Sequence, residues 1–458
     1  MGEAVDKARR TSLSQRILKT MGLFGGVQLA TIVLSIVRTK FVAVWLGPMG
    51  VALNTIFIST QELITSAVGL NLRSSGVREL SAADEAARPR VAGMLLRVGV
   101  GLAVIGAVIT LMLSPALSLW TLGSTSDWWC FALLAAGAGS AIYLDANLAA
   151  LQAYGRFKAL ARVTLASALV CTGVAVPLYY GLRLRAVLPV YLITTIAYML
   201  WALRERRRCC PAPEMPSMRR AWRDASPMLR LGMYMTFAAV MERLSAYIFV
   251  VYMSNDAAVG DLGIYQAGYT LVNTYVGVVF AALSTEYYPR LASVCTSRLR
   301  AQAFVSHEFR VVAMVLMPVV VLFLAVDRIA VSLLYADSFL PMLPYIDVAV
   351  CGVVLRAFSF CLAYVILARG DGRVYVVTEA IGVAVGLVLR IVGYRMWGFP
   401  GLGWAYVVEY AAYSAVVLWV YRRVYGMRLG RGIPWLCAGA TAVGFAALAI
   451  KSAIENVI

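Results

Sequence analysis

Several stretches of this chain carry no charged residue over a length that can cross a bilayer, among them Val98–Ser126 with 29 residues, Val163–Leu182 with 20, Leu262–Thr285 with 24 and Gly432–Ile450 with 19. A helix needs about 20 apolar residues to span the hydrocarbon core. Inside that core every backbone N–H and C=O must bond within the protein, which leaves helices or closed barrels. The ~10-residue alternating strands of a barrel are absent, so the runs are read as helices. Adding runs interrupted by a single charge predicts thirteen spans, at 21–46, 50–72, 91–113, 128–149, 160–180, 186–204, 229–252, 260–284, 308–330, 344–367, 374–397, 401–424 and 433–453. The composition agrees. Apolar residues make up 61% and charged residues 14%, where soluble domains hold about half and about a quarter. A soluble globular chain and a disordered one are both excluded. The expected fold class is all-α, a polytopic transmembrane helical bundle.

The net charge of +18 has a membrane explanation that needs no nucleic acid, because cytoplasmic loops collect Lys and Arg. With the N-terminus inside, the inner segments carry 29 basic residues and the outer segments 4. A missed or surplus helix would reverse that bias downstream, and it never reverses. The N-terminus is therefore expected in the cytoplasm. The polar, basic first 20 residues lead into a retained first span, since no short apolar core with a small-residue cleavage site stands out. The eight cysteines show no redox or metal spacing, and one histidine, His307, leaves little for metal or His-based chemistry. No cofactor is expected.

Residues 204–230 form the largest inner segment, with Pro211, Pro213, Pro216 and Pro227 and eight basic residues. They separate six spans from six. The expected organisation is an N-lobe at 1–203, a basic cytoplasmic linker at 204–228, a C-lobe at 229–425 and an extra C-terminal helix within 426–458, with the lobes around a central cavity. Two junctions look duplicated. Gly50-Val51-Ala52-Leu53-Asn54 resembles Gly263-Ile264-Tyr265-Gln266-Ala267, an offset of 213, and Gly155 after span 4 resembles Gly372 after span 10, an offset of 217. A duplicated six-span unit has the same orientation in both copies, a layout used by transporters.

Charges within spans cost a few kcal/mol each and need a reason. Arg38, Arg243 and Arg356 fall roughly 12–18 Å below the outer surface at 1.5 Å per residue. Guanidinium groups at one depth suit an anionic ligand, since the planar fork binds phosphate oxygens in pairs. Arg38, Arg243, Arg356 and Lys40 are the substrate-binding candidates. Glu62, Glu242, Asp145 and Glu409 are the candidates for coupling to an ion, and Glu62 is also placed to pair with Arg38. For each of them a structural ion pair is the competing reading. There is no phosphate-binding P-loop, no H-E-x-x-H and no outer loop large enough for a catalytic domain, so pump, protease and glycosyltransferase readings fall and no enzyme is expected.

The stretch Asp261-Leu262-Gly263-Ile264-Tyr265-Gln266-Ala267-Gly268-Tyr269-Thr270, followed by Tyr287-Tyr288-Pro289-Arg290-Leu291, resembles Wzx-type polysaccharide flippases. So do Leu46-Gly47-Pro48-Met49-Gly50 and Leu151-Gln152-Ala153-Tyr154-Gly155-Arg156-Phe157-Lys158. These flippases belong to the multidrug/oligosaccharidyl-lipid/polysaccharide exporter superfamily. The resemblance covers about residues 13–425, and the thirteenth run departs from the usual twelve or fourteen spans. It implies a bacterial inner-membrane flippase for an undecaprenyl-diphosphate-linked oligosaccharide of the O-antigen or exopolysaccharide kind. It also implies alternating access, a proton or Na⁺ gradient as the drive, and membrane lipids and a glycan polymerase as neighbours. The alternatives are a multidrug cation antiporter of the same superfamily, which wants an acidic cavity, and a non-transport scaffold or polymerase subunit.

Overall fold

A computed structural model describes residues 2–455 except 257, 276, 278–279, 281–286, 288–289, 292, 296 and 431. The described residues are mostly helical, with no strand among them. In chain order the helices are α1 (Gly2–Gly69), α2 (Leu72–Ala82), α3 (Arg88–Leu122), α4 (Trp128–Ala153), α5 (Phe157–Leu182), α6 (Val187–Cys209) and α7 (Met218–Asp224). They continue with α8 (Ser226–Asp256), α9 (Val259–Tyr269), α10 (Arg298–Leu334), α11 (Leu343–Cys351), α12 (Val353–Ala368), α13 (Gly372–Trp419) and α14 (Ile433–Glu455). Two of these are double spans. α1 breaks at Gly47 (φ 64, ψ −165) before Pro48, and α13 breaks at Gly398 (φ 62, ψ −136) before Pro400. Both breaks fall between segments that the sequence separates. The tenth span is bent by 46° between α11 and α12.

The chain forms two compact units, one of residues 1–46 and 53–243 and the other of 47–52 and 244–458. In the first, α3 and α4 pack closely because small residues line the contact. A Cβ on Gly99 would come within 2.7 Å of the Ala146 methyl. Leu95, Val98, Ile142 and Ala146 are buried there. The proline-rich linker folds onto this unit. Glu214 N–H donates to the Pro89 carbonyl (3.0 Å), Arg90 pairs with Asp224 (3.2 Å), and the Trp222 ring lies against Gly101. Burial against the Leu148 and Leu151 cluster pushes the Cys210 thiol up to about 11.

In the second unit, Phe309, Phe358, Leu362 and Tyr421 are core residues, and Ile433, Cys437 and Ala440 of α14 join them. The far end of α14 is held by Lys451, whose ammonium contacts Asp327 of α10 and both oxygens of Asp347 of α11 (2.9 and 3.0 Å). The thirteenth apolar run is therefore built into this unit, and its 22 residues at 433–454 are long and apolar enough to cross a membrane.

The two copies of the repeat are visible in backbone hydrogen bonds. After α4, Tyr154 N–H donates to Ala150 O, Gly155 to Gln152, Arg156 to Leu151 and Leu160 to Arg156. After α12, Arg369 donates to Val365, Gly370 to Leu367, Asp371 to Ile366 and Tyr375 to Asp371. Each pair is 215 positions apart. The cap closes on a left-handed residue, which favours glycine because it has no Cβ. That residue is Gly155 (φ 65) in one copy and Gly370 (φ 75) in the other. Gly372, expected from sequence to match Gly155, is instead the first residue of α13. The same offset carries Trp128 to Leu343, Ala153 to Ala368, Phe157 to Gly372 and Cys209 to Val424, all element ends. It also carries Arg183 (φ 50, ψ −130) to the break at Gly398.

Candidate functional site

Within the first unit, Arg38 lies half-buried on the first span. Its Nη1 is 2.7 Å from the Cys171 sulfur of α5, and the buried Tyr179 is beside it. It forms no ion pair among the described residues. Lys40, two residues on, is also half-buried, but points about 200° away around the helix. Glu62 does not take Arg38. Its Oε2 accepts from Arg243 Nη1 at 2.5 Å, and the two side chains are 45% and 47% exposed. An ion pair this open is worth at most about 1 kcal/mol, so another anion or a proton can displace it. Glu242 is exposed next to Arg243. Asp145 is half-buried on α4 and its electrostatic partner is Arg73, so it stands apart from the Arg243–Glu62 pair.

The second unit holds a different arrangement. Arg356 on α12 donates from Nη1 to Asn273 Oδ1 (2.7 Å) and reaches the Tyr406 hydroxyl (3.5 Å). The rings of Phe280 and Tyr410 lie 5.1 and 5.7 Å from its guanidinium carbon. Asn273 reaches this position from a π-helical turn, Thr270–Tyr275, that continues α9. Such turns widen a helix and recur at functional sites. Arg356 also forms no ion pair among the described residues. Its direct partners are neutral oxygens and ring faces, and Glu409, the carboxylate paired with Arg390, also acts on it electrostatically.

Glu409 is paired with Arg390, Nε to Oε2, at 3.6 Å. Arg390 also donates to the Gly386 carbonyl (3.0 Å) and reaches Ser245 (3.5 Å). A Cβ on Gly386 would collide with the Glu409 carboxylate, so the glycine makes room for the pair. Sequence reasoning left Arg390, Asn273, Tyr406 and Tyr410 out of the site. The signals were a charge in the middle of span 11 and tyrosines spaced i, i+4 on span 12. Of the Tyr287–Leu291 motif, Tyr288 and Pro289 lie outside the described residues. Tyr287 is a buried core residue whose hydroxyl donates to the Cys361 carbonyl (2.7 Å).

The family described as "Polysaccharide biosynthesis protein" matches residues 50–344, well over half of the chain. The chain belongs to that family. Its fold is similar to that of several solved transporters. An inward-facing multidrug resistance MATE family transporter of the MOP superfamily matches with a TM-score of 0.71 at 14% identity, covering 86% of this chain and 95% of that one. The lipid II flippase MurJ, in an inward closed conformation, matches with a TM-score of 0.66 at 10% identity, covering 94% and 98%. A MOP superfamily transporter from Pyrococcus furiosus, described as having a binding pocket of reverse polarity, matches at 0.64 and 13% identity, covering 89% and 96%. No curated protein matches the chain. At these identities the structures show the fold alone: an all-helical, multi-pass membrane architecture.

Proposed function

We propose that this member of the family is a flippase. It carries an undecaprenyl-diphosphate-linked oligosaccharide, an O-antigen or exopolysaccharide repeat unit, from the cytoplasmic to the periplasmic leaflet of the bacterial inner membrane by alternating access of its two units. The observation that carries this reading is that guanidinium groups within the spans lack ion-pair partners. Arg38 and Arg356 have no ion pair among the described residues, Arg243 is held only by a half-exposed carboxylate, and Arg390 is matched by Glu409. Guanidinium groups left without an ion pair favour an anion, and a diphosphate offers the oxygens that such forks bind.

The residues then have distinct roles. Arg38 is the standing phosphate ligand and Lys40 a secondary cation. Arg356 is a ligand held ready by Asn273 and the surrounding rings. Arg243 is shared, because Glu62 and the diphosphate compete for the same guanidinium. A proton or cation on Glu62 releases Arg243 to the substrate, and its departure returns Arg243 to the carboxylate. This exchange links substrate capture to a cation gradient without a dedicated metal cage. Glu242, Asp145 and Glu409 are secondary candidates, and Arg390 neutralises the last of these. The undecaprenyl tail stays among the membrane lipids. A glycan polymerase on the far side would receive the product.

A multidrug cation antiporter with the same fold would need the opposite charge in its cavity. In cells deleted for this chain, the lipid-linked oligosaccharide should accumulate on the cytoplasmic leaflet, and plasmid-borne wild type should clear it. Unchanged export in the deletion strain together with new sensitivity to cationic dyes would favour the antiporter.

A further inference from the structure

We propose that the C-terminal turn of α6 is a headgroup site for a membrane lipid carrying two phosphates close together, held by Arg204, Arg207 and Arg208. The sequence there is Arg204-Glu205-Arg206-Arg207-Arg208, and the helix sorts these residues at 100° per step. Glu205 and Arg206 turn inward and are used. Glu205 accepts from Arg162 Nη2 at 2.6 Å, and the buried Arg206 donates from Nε to Asn147 Oδ1 at 2.7 Å. The other three arginines are exposed and form no ion pair among the described residues. With Leu200 and Leu203 they line one open face of this helix.

The level along the helix fits a lipid. Arg207 is about 30 Å from Val187 at 1.5 Å per residue, the thickness of the hydrocarbon core. At the same rise Leu200 lies about 6 Å deeper than Arg204 and about 12 Å deeper than Arg208, at acyl depth when the arginines reach the phosphates. Trp201, with the Arg204 guanidinium 5.9 Å from its ring, is an interfacial aromatic of the kind that marks that boundary. Favourable alignment with the helix dipole does not require this arrangement, because Arg206 already sits in the last turn. Three unpaired guanidinium groups on one face repel one another unless an anion bridges them. One phosphodiester has two free oxygens, fewer than three forks can take, and a pair of phosphates fills them. Basic pockets on the cytoplasmic side of membrane proteins take such headgroups.

Two lipids present this chemistry, a bis-phosphate phospholipid such as cardiolipin and a polyprenyl diphosphate. Only the second arm rests on the flippase reading. The test is native mass spectrometry of the full-length protein titrated with cardiolipin, undecaprenyl diphosphate, phosphatidylglycerol and phosphatidylcholine. The R204Q/R207Q/R208Q variant should bind cardiolipin, undecaprenyl diphosphate or both at least about tenfold more weakly. Phosphatidylcholine binding should not change. The R219Q/R220Q/R223Q variant removes the same charge from the linker helix and should bind like wild type. Loss with undecaprenyl diphosphate identifies a loading site for the flippase substrate. Loss with cardiolipin alone identifies a phospholipid site and leaves the transport reading untouched. If the triple variant is unstable, single R207Q should still weaken binding several-fold. Equal loss in both triple variants, or wild-type affinity in R204Q/R207Q/R208Q and R207Q, would overturn the proposal.

Discussion

Glu62→Gln separates a shared guanidinium from a merely structural ion pair. Glu62 and Arg243 are close to half exposed and 2.5 Å apart, so the pair contributes at most about 1 kcal/mol to stability. The variant should reach the membrane at wild-type levels. Amide replaces carboxylate at the same size and competes for Arg243 only through a neutral oxygen. Diphosphate affinity should then rise by up to about fivefold, the equivalent of that same 1 kcal/mol. Arg243→Ala removes a charge-assisted bond worth ~1.5–3 kcal/mol and should lower affinity about ten- to a hundred-fold. The assay is equilibrium binding of undecaprenyl diphosphate to purified protein, paired with translocation measured with and without an imposed cation gradient. Glu62→Gln should bind more tightly yet lose most of its response to the gradient. Weaker binding in Glu62→Gln, or loss of the protein from the membrane, would show that Glu62 does not compete with the substrate.

Other outcomes follow from the same geometry. Arg38→Ala should reduce glycan export sharply at normal expression, and Arg38→Lys should restore it in part, because a point charge replaces a two-point fork; export assays with quantified membrane protein check this. Gly386→Ala places a methyl against the Glu409 carboxylate and should lower thermal stability by about 1–3 kcal/mol, read as a shift in melting temperature. Lys451→Met leaves Asp327 and Asp347 buried without their cation and should cost about 3–5 kcal/mol. Truncation before Ile433 should destabilise the second unit at least as much, since α14 supplies part of its core. An impermeant maleimide should leave Cys209 and Cys210 unlabelled in intact spheroplasts. After lysis, Cys210 should react slowly near neutral pH and faster as the pH rises toward 11, because burial raises its thiol and the thiolate is the nucleophile.

The span pattern was legible because hydropathy and the Gly-Pro signals act locally. The sequence separated 21–46 from 50–72 and 374–397 from 401–424 at the places where Gly47 and Gly398 break their helices. Register was harder to read. Gly370-Asp371-Gly372 offers two glycines, and only the cap hydrogen bonds show that Gly370 is the counterpart of Gly155. Pairing between distant segments was not legible at all. Glu62 lies 181 positions from Arg243, and nothing in either segment favours that partner over Arg38. Lys451 reads as one more outer-loop charge until Asp327 and Asp347 are seen on it. The linker reads as a loose basic loop because its anchors, the Pro89 carbonyl and the surface of Gly101, are backbone features that a one-dimensional pattern does not display.

The most direct test of the central claim is translocation by the purified protein in sealed vesicles that carry a labelled undecaprenyl-diphosphate oligosaccharide, with a cationic dye as the competing substrate. The label should move across the bilayer with wild-type protein. Transport should fall at least about tenfold with Arg38→Ala, and the dye should neither move nor compete. Dye transport with a static glycan, or glycan transport unaffected by loss of Arg38, would contradict the account.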